Sequence, residues 1–459
     1  MALTWRALAL AGIGIIPVLL WPAPGTVLAW AAVILVVVLV DLALAAAPVN
    51  CELQRTVPPS VRFGQETQSV LTVRNLSTRT ARFTIRDAWP PSVVPEATEA
   101  SERTVASAAA VTAHSARHSA TVRPGDGARF TTVLLPRRRG DRHAGPVTVR
   151  SWGPLRIAAR QRSYPVAARL RVLPEFSSRK HLPSRLAQLR ELDGRASVQI
   201  RGHGTEFDSL REYVMGDDVR SIDWRATARR GDVVVRTWRP ERDRRVLILL
   251  DTSRTSAART GDAPRLDTGI ESALLLAALA DRAGDRVQVL AFDRQVRARM
   301  LGATGPRLLP AVAEALSTLE PRLTEMDWPG AVDQVLRQVS QRALVVLLTS
   351  LDPAPVTSGL MPVIAHLTSR HHVVVASVDD PEVDGLRVGG VGGAQHDAAS
   401  GYEAASPYDH AAAERLHLQR AACAADLQRL GATVITALPD ALPPALADTY
   451  IALKAAGKL

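Results

Sequence analysis

The chain has 459 residues, of which 47% are hydrophobic and 22% charged, so it can form more than one packed domain and lacks the composition of a disordered protein. Its two cysteines, Cys51 and Cys423, lie far apart, which excludes a disulfide scaffold and a cysteine-based zinc site, and an aromatic content of 4% argues against a stacking platform for single-stranded nucleic acid. The net charge is +11 and 53 of the 56 basic residues are arginine, a bias that we attribute to codon usage rather than to phosphate binding.

Two apolar segments at the start of the chain, residues 7–21 and 25–47, predict membrane-spanning helices. The second has the length of about 20 residues that crosses the hydrocarbon core, whereas the first is shorter and contains Pro17. The Pro-Ala-Pro-Gly sequence between them favours a tight turn. We therefore expect residues 1–47 to form two transmembrane helices, with Asp41 near the membrane interface or paired within the hairpin.

Arginines outside these segments predict the orientation of the chain. Arg6 precedes the first segment, and Arg55 and Arg62 follow the second. Because basic residues favour the cytoplasmic side, we expect a multi-pass protein of the cell membrane whose soluble domains are cytoplasmic. The alternative is a signal peptide that is cleaved near Ala23.

Short alternating segments over residues 48–174 predict a β-sandwich-like domain. Examples are residues 69–74, 81–85 and 129–135. The Ala-, Ser- and Thr-rich residues 96–120 have few apolar side chains to bury and predict a mobile loop. We interpret His114 and His118 within it as polar loop residues rather than metal ligands, because no acidic residue or cysteine lies nearby.

Residues 175–243 form a charged connector that leads into a long motif. Residues 206–253 read EFDSLREYVMGDDVRSIDWRATARRGDVVVRTWRPERDRRVLILLDTS, and LPRRRG at 135–140 and GPV at 145–147 precede them. This string resembles the signature of the DUF58 family, and the resemblance extends over nearly the whole chain. It implies a C-terminal domain similar to von Willebrand factor A domains. It also implies a MoxR-type AAA+ ATPase as partner and, for some members, a transglutaminase-like membrane protein.

Opposite charges at high density in this motif predict arginine–carboxylate pairs that lock an irregular segment. The functional alternative is a docking surface made by the same groups, for which the candidate residues are Glu206, Phe207, Leu210, Arg211, Tyr213, Gly216, Asp217, Arg220, Asp223, Trp224 and Arg229. A hydrolase that uses carboxylates of the 206–223 region is a further alternative. The arginines of 220–245 leave a nucleic-acid surface open, although no nucleic-acid motif accompanies them and we expect none to bind.

Residues 244–459 alternate between buried strands and helices, which predicts a doubly wound α/β domain. The continuous apolar run at 246–250 is typical of a parallel strand that is covered on both faces, and 286–292, 343–348 and 372–378 are predicted as further strands. Ligands of such sheets bind at the carboxyl ends of the strands.

The residues that follow the first of these strands resemble the metal-binding motif of von Willebrand A domains. Asp251, Ser253 and Thr255 match its DxSxS pattern, and Thr324 is the candidate for its separate threonine. Their oxygen atoms suit Mg²⁺. The aspartate expected after Thr349 is replaced by Ser350, and the alternative is that Asp251 and Ser253 cap the local backbone. We expect no catalysis, and a membrane-anchored scaffold or adaptor that binds partner proteins through this face.

Overall fold

The computed structural model describes residues 2–94, 105–107, 110–113, 117–196, 206–215, 217–239, 244–261, 263–388 and 407–459. The chain divides into two compact units, Met1–Glu175 and Phe176–Leu459. The first is rich in β-strands and the second is an α/β unit, which confirms the predicted β-rich and α/β character of the two parts.

The first unit begins with three apolar helices, α1 (Trp5–Ile13), α2 (Ile15–Leu20) and α3 (Pro24–Leu44). Trp30 of α3 donates its indole N–H to the carbonyl of Leu10 at 3.2 Å, and a side chain at Gly14 would collide with the Trp30 ring. The first two helices therefore pack against the third at a position where only glycine fits.

Within the described residues, one apolar helical segment, Pro24–Asn50, is long enough to cross a membrane by length and composition, and Trp5–Leu20 is shorter. The sequence predicted two membrane-spanning helices, and one of the two described segments has the length and composition to cross a membrane. Asp41, near the end of α3, is fully buried and accepts hydrogen bonds of 2.8–3.0 Å from three backbone amides of residues 155–158. Its partners thus lie in the β-rich part of this unit rather than within the helices.

The remaining elements of the first unit are strands. They are β1 (Ala2–Leu3), β2 (Cys51–Thr56), β3 (Ser60–Arg62), β4 (Thr67–Asn75), β5 (Ala81–Arg86), β6 (Val105–Ser107), β7 (Ala110–Ala113), β8 (Arg117–Val122), β9 (Gly127–Leu134), β10 (Gly140–His143), β11 (Val147–Trp152), β12 (Ala158–Tyr164) and β13 (Arg169–Leu173). Two five-stranded sheets, β1-β12-β11-β5-β8 and β2-β4-β9-β7-β6, enclose a common apolar core, and β10-β13-β3 form a third sheet.

A buried ion pair lies in this unit. The side chains of Arg55 and Asp87 are both fully buried and approach to 2.5 Å. The second Asp87 oxygen accepts hydrogen bonds from Ser69 at 3.0 Å and Thr132 at 3.2 Å. Because a buried charge needs both a counter-charge and hydrogen bonds, this arrangement is one that the interior tolerates.

The loop predicted for residues 96–120 is wrong where strands β6, β7 and β8 form, and its remaining residues up to 116 lie outside the described part of the chain. Strand β8 begins at Arg117, and His118 on it is 2% exposed with its Nε2 2.9 Å from Thr132 Oγ1. Pairing with β5 buries this histidine, which sequence composition alone did not indicate. His114 lies outside the described residues.

The second unit contains ten strands and ten helices. The strands are β14 (Glu206–Glu212), β15 (Val234–Arg239), β16 (Arg245–Asp251), β17 (Arg259–Thr260), β18 (Ala263–Pro264), β19 (Arg286–Phe292), β20 (Val296–Met300), β21 (Leu344–Leu348), β22 (His372–Val378) and β23 (Thr433–Ala437), as counted over the described residues. The helices, over the same residues, are α4 (Leu182–Ala196), α5 (Trp224–Arg230), α6 (Arg265–Arg282), α7 (Leu308–Ser317), α8 (Trp328–Gln338), α9 (Pro353–Pro355), α10 (Met361–Thr368), α11 (Pro381–Val388), α12 (Pro407–Arg429) and α13 (Leu442–Ala455).

A six-stranded sheet of order β20-β19-β16-β21-β22-β23 forms the centre of this unit. All neighbours are parallel except β20, which is antiparallel to β19. Ile248 and Leu250 of the central strand β16 belong to one apolar cluster with α6, α7 and α13, and Leu247 and Leu249 belong to another with α8, α10 and α12. Helices therefore cover both faces, which explains why the strands are apolar without alternation.

Candidate functional site

The candidate site is centred on Asp251, the last residue of β16. Asp251 is 2% exposed. Its Oδ1 accepts a hydrogen bond from the Ser253 amide at 2.8 Å, and its Oδ2 accepts hydrogen bonds from the hydroxyls of Thr255 at 3.1 Å and Thr349 at 2.6 Å. The adjacent strand β21 brings Thr349 to this position, because both strands end at the same edge of the sheet.

Three further hydroxyl groups surround this carboxylate. Ser253 Oγ and Thr255 Oγ1 lie 3.1 Å apart, and Ser256 donates its hydroxyl to the Asp251 carbonyl at 2.6 Å. Ser350 is 5% exposed, and its Oγ has no hydrogen-bond partner among the described residues. The site is thus a cluster of oxygen atoms in which one buried hydroxyl is unsatisfied.

Asp251 has no basic partner in the part of the chain that the structure describes. Burial raises the pKa of this carboxyl group above its usual value, and the hydrogen bonds from Ser253, Thr349 and Thr255 only partly offset that effect. A buried carboxylate that lacks a counter-charge is costly, and a cation at the site would reduce that cost.

An open pocket of about 270 Å³ lies directly over the cluster. Asp251, Ser253, Thr255, Thr349 and Ser350 line its floor. Its polar floor is therefore accessible to a group from outside the chain.

Arg254 and Glu325 line the rim of this pocket and form an exposed ion pair of 3.3 Å. The exposed Thr324 accepts a hydrogen bond from the Arg254 amide at 2.8 Å through its backbone carbonyl. The structure thus places Thr324 beside the loop that follows β16, while its hydroxyl is not a partner of Asp251.

Two aspartates near the site already form ion pairs with arginines. Asp352, two residues beyond Ser350, pairs with Arg265 at 3.2 Å and with Arg420 at 3.0 Å. Asp293, one residue beyond β19, is fully buried and pairs with Arg297 at 2.6 Å. Burial opposes ionisation of Asp293, but the hydrogen bonds from Arg297 and from two backbone amides prevail and lower its pKa. Neither carboxylate replaces the aspartate that the motif lacks at Ser350.

These occupied aspartates were not predicted as structural ion pairs. Arg265 and Arg420 lie 87 and 68 residues from Asp352 in sequence, so no local pattern indicates their pairing. The described residues contain no group of three or more His, Cys, Asp or Glu side chains arranged for a metal ion.

The signature segment forms a hairpin of β14 and β15 with a loop between them. Arg211 forms two hydrogen bonds with Asp217, at 2.6 and 2.8 Å, and this contact raises the pKa of the guanidinium group. Asp223 caps α5 through the amides of Arg225 and Ala226, both at 3.0 Å.

Asp223 also pairs with Arg236 of β15 at 2.8 Å. The hydrogen bond from the Ala226 amide, followed by that from Arg236, lowers the pKa of Asp223. A low pKa is the opposite of what a general acid needs near neutral pH, so Asp223 is not suited to that role.

Large apolar side chains are exposed in the loop between these strands. Met215 is 95% exposed, Trp224 67%, and Val214 and Val219 61% each. Of the other predicted docking residues, Leu210 and Tyr213 are half-buried and Arg220 and Arg229 are exposed. The side chains of Glu206 and Phe207, and Gly216, lie outside the described residues. The structure places Trp224 and Arg220 on an accessible surface, separate from the Asp251 cluster in sequence.

Comparison with known proteins gives distant relatives. The uncharacterized proteins Rv1480 of Mycobacterium tuberculosis and Mb1516 of Mycobacterium bovis are each 27% identical over 185 residues, which are 40% of this chain and 57% of each relative. This chain thus matches little more than half the length of these relatives.

Two solved structures illustrate the weaker structural likenesses. The PapD-like domain of human CEP192 is 15% identical, with 27% of this chain and 85% of that chain covered and a TM-score of 0.17. Escherichia coli alpha-2-macroglobulin is 10% identical, with 27% and 10% covered and a TM-score of 0.18. Likenesses at these TM-scores carry no conclusion. Residues 209–422 match the family described as "Protein of unknown function DUF58", which supports the resemblance seen in the sequence over that part of the chain.

Proposed function

We propose that this chain is a membrane-anchored scaffold or adaptor that faces the cytoplasm, binds partner proteins at the carboxyl edge of its parallel sheet, and catalyses no reaction. The observation that carries the proposal is the buried carboxylate of Asp251 at the floor of an open pocket, without a basic partner among the described residues. A protein interior keeps such a group only at a cost, so a ligand that compensates the charge explains its presence.

The oxygen donors of this pocket fit a magnesium ion. Mg²⁺ prefers oxygen ligands and retains some of its waters, and the unsatisfied Ser350 hydroxyl is a further buried oxygen. Asp251, Ser253 and Thr255 would hold the ion, with Thr324, whose backbone carbonyl accepts the Arg254 amide, as the fourth candidate. The bound ion would supply a positive centre that one protein carboxylate does not neutralise, so that an acidic side chain of a partner could complete its surroundings.

The membrane anchor is supported by the apolar segment Pro24–Asn50. Large apolar side chains of α1 are also exposed, with Trp5 at 75% and Leu8 at 77%. We propose that both helical segments enter the bilayer as a hairpin, and that arginines of the first unit keep the soluble part on the cytoplasmic side.

The proposed partner is a MoxR-type AAA+ ATPase, with a transglutaminase-like membrane protein as a second candidate. The sheet with helices on both faces supports a doubly wound, von Willebrand A-like domain, and the match to DUF58 supports these partner classes. The exposed apolar loop around Met215 and Trp224 offers a second contact surface for the same partner.

The test uses the full chain in detergent with Mn²⁺ as a paramagnetic substitute for Mg²⁺. We expect one bound Mn²⁺ per chain in the wild type, none in Asp251→Asn, and unchanged binding in Asp333→Asn, whose exposed carboxylate lies on α8. The MoxR-type ATPase of the same organism should be captured in magnesium and released by chelator. Equal capture under both conditions would refute the metal-dependent interaction, and equal capture by Asp251→Asn would refute this face as the binding site.

A further inference from the structure

We propose that the first unit contains a binding site for the headgroup of an anionic phospholipid, at the point where the apolar helices meet the β-strands. This inference rests on the membrane anchor proposed above. A pocket of about 510 Å³ lies there, lined by Trp5, Arg6, Arg82, Thr84, Trp152 and Arg156 among others. It is separate from the Asp251 site, which belongs to the second unit.

The charge of this pocket is positive throughout. Three arginines line it, and none of its described lining residues is acidic. Arg6 donates to the Leu155 carbonyl at 3.0 Å and Arg82 to the Pro154 carbonyl at 2.8 Å. Neither these two nor Arg156 forms an ion pair with a carboxylate in the described part of the chain. The guanidinium groups of Arg6 and Arg82 are therefore held in place by neutral carbonyls, and all three arginines keep their full charge for an anion.

Hydroxyl groups add neutral polar atoms to the pocket. Thr84 and Thr4 line it, and Trp152 donates its indole N–H to Thr84 Oγ1 at 2.8 Å. Thr84 Oγ1 also lies 3.4 Å from Ser119 Oγ, and Thr121 adds a further hydroxyl to the lining. A phosphate group accepts several hydrogen bonds, so arginines and hydroxyls together match its chemistry.

The residues between β11 and β12, together with the start of β12, contact both ends of the apolar hairpin. Thr4, directly before α1, donates its hydroxyl to the Arg156 carbonyl at 2.8 Å. The Asp41 carboxylate, near the end of α3, accepts hydrogen bonds from three backbone amides of residues 155–158. The helices therefore enter and leave the β-strands beside the pocket. If they lie in a bilayer, the pocket lies at the depth of the headgroups, where tryptophans such as Trp5 are also favoured.

A lipid fits this position better than a soluble phosphate. The exposed apolar surface of α1, with Leu8 77% exposed, begins at the edge of the pocket and would contact the acyl chains of a lipid whose phosphate binds the arginines. Anionic lipids attract basic residues near the membrane surface by about 1 kcal/mol each, which is roughly fivefold in affinity per arginine.

The test places the full chain in nanodiscs of equal amounts of phosphatidylglycerol and phosphatidylcholine and counts retained lipids by native mass spectrometry. We expect preferential retention of phosphatidylglycerol, reduced roughly fivefold by Arg82→Gln and by Arg156→Gln and more in the double variant. Arg74→Gln is the matched control, because Arg74 is also exposed and also donates to a backbone carbonyl, at 3.3 Å. Arg6→Gln, at an exposed position, serves as a second variant if Arg82→Gln fails to fold.

The outcomes separate the two proposals. A chain that alkaline carbonate removes from membranes contradicts the anchor and the lipid site together. If the chain resists extraction but retains both lipids equally, the lipid site alone is refuted. Saturable binding of inorganic phosphate in uncharged detergent, lost in the arginine variants but without any lipid preference, would overturn the lipid as the ligand.

Discussion

Replacing Asp251 with asparagine should stabilise the second unit in the absence of divalent cations. Asparagine has nearly the same shape, and the hydroxyls of Thr255 and Thr349 can rotate to accept hydrogen bonds from its amide. Burying a carboxylate costs several kcal/mol, about 5 here. The three hydrogen bonds to it are each stronger than neutral ones by about 1 kcal/mol. The variant should therefore gain roughly 2 kcal/mol in the free energy of unfolding near neutral pH.

The raised pKa of Asp251 determines how the stability difference between the variant and the wild type changes with pH. Because burial raises the pKa of Asp251, the folded state binds a proton more tightly than the unfolded state. Wild-type stability then falls as the pH rises from the unfolded pKa of about 4 through the raised folded pKa. The advantage of Asp251→Asn should be small at about pH 4 and complete above the folded pKa, and Mg²⁺ should stabilise only the wild type.

Hydrogen exchange of peptides that cover β16 and β21 measures this stability in the second unit alone. Asp293→Asn is the matched control with the opposite expected sign, because the pKa of Asp293 is lowered and its loss leaves Arg297 without a partner. A loss of stability in Asp251→Asn like that in Asp293→Asn, or a gain that does not change with pH, would contradict the expected cost of the buried Asp251 carboxylate.

Three further predictions concern other carboxylates. Asp87→Ala should cost the first unit about 3–5 kcal/mol in urea unfolding, since Arg55 would remain buried without a counter-charge; a loss under ~1 kcal/mol would mean that water reaches the guanidinium. Asp223 has a lowered pKa, so its capping contacts should persist at neutral pH and disappear as the pH falls through this lowered pKa. NMR shifts of the capped amides that do not change on acidification would contradict this. Asp352→Ser should cost about 3 kcal/mol and lower the melting temperature, because two largely buried arginines lose their shared partner. An unchanged melting temperature would show that Asp379 replaces it for Arg420.

The sequence predicted the central strands well, because burial on both faces leaves a direct signal. The run at 246–250 became β16, which spans Arg245–Asp251, and the α/β character of the second unit is confirmed. Strand β20 was missed because it is an edge strand of sequence VRARM, and its two arginines give no continuous apolar run. Strand β8 was missed because pairing, not composition, makes it a strand.

The candidate site was predictable where its contacts are local. Ser253 and Thr255 lie within four residues of Asp251, so their spacing indicated a shared cluster. Thr349 lies 98 residues away, and only the adjacency of β16 and β21 brings its hydroxyl to Asp251. The unsatisfied hydroxyl of Ser350 depends on burial by distant elements, which no local pattern shows.

Photo-crosslinking at the rim of the pocket tests whether partners bind at this face. The full chain in its native membranes would carry benzoyl-phenylalanine in place of Thr324, with the exposed Gln341 as the control position at the amino end of β21, on the opposite edge of the sheet. We predict a defined protein adduct from position 324 that forms in magnesium, is absent with chelator or with Asp251→Asn, and does not form from position 341. An adduct that is the same from both positions, or unaffected by chelator and by Asp251→Asn, would contradict recognition through the Asp251 pocket.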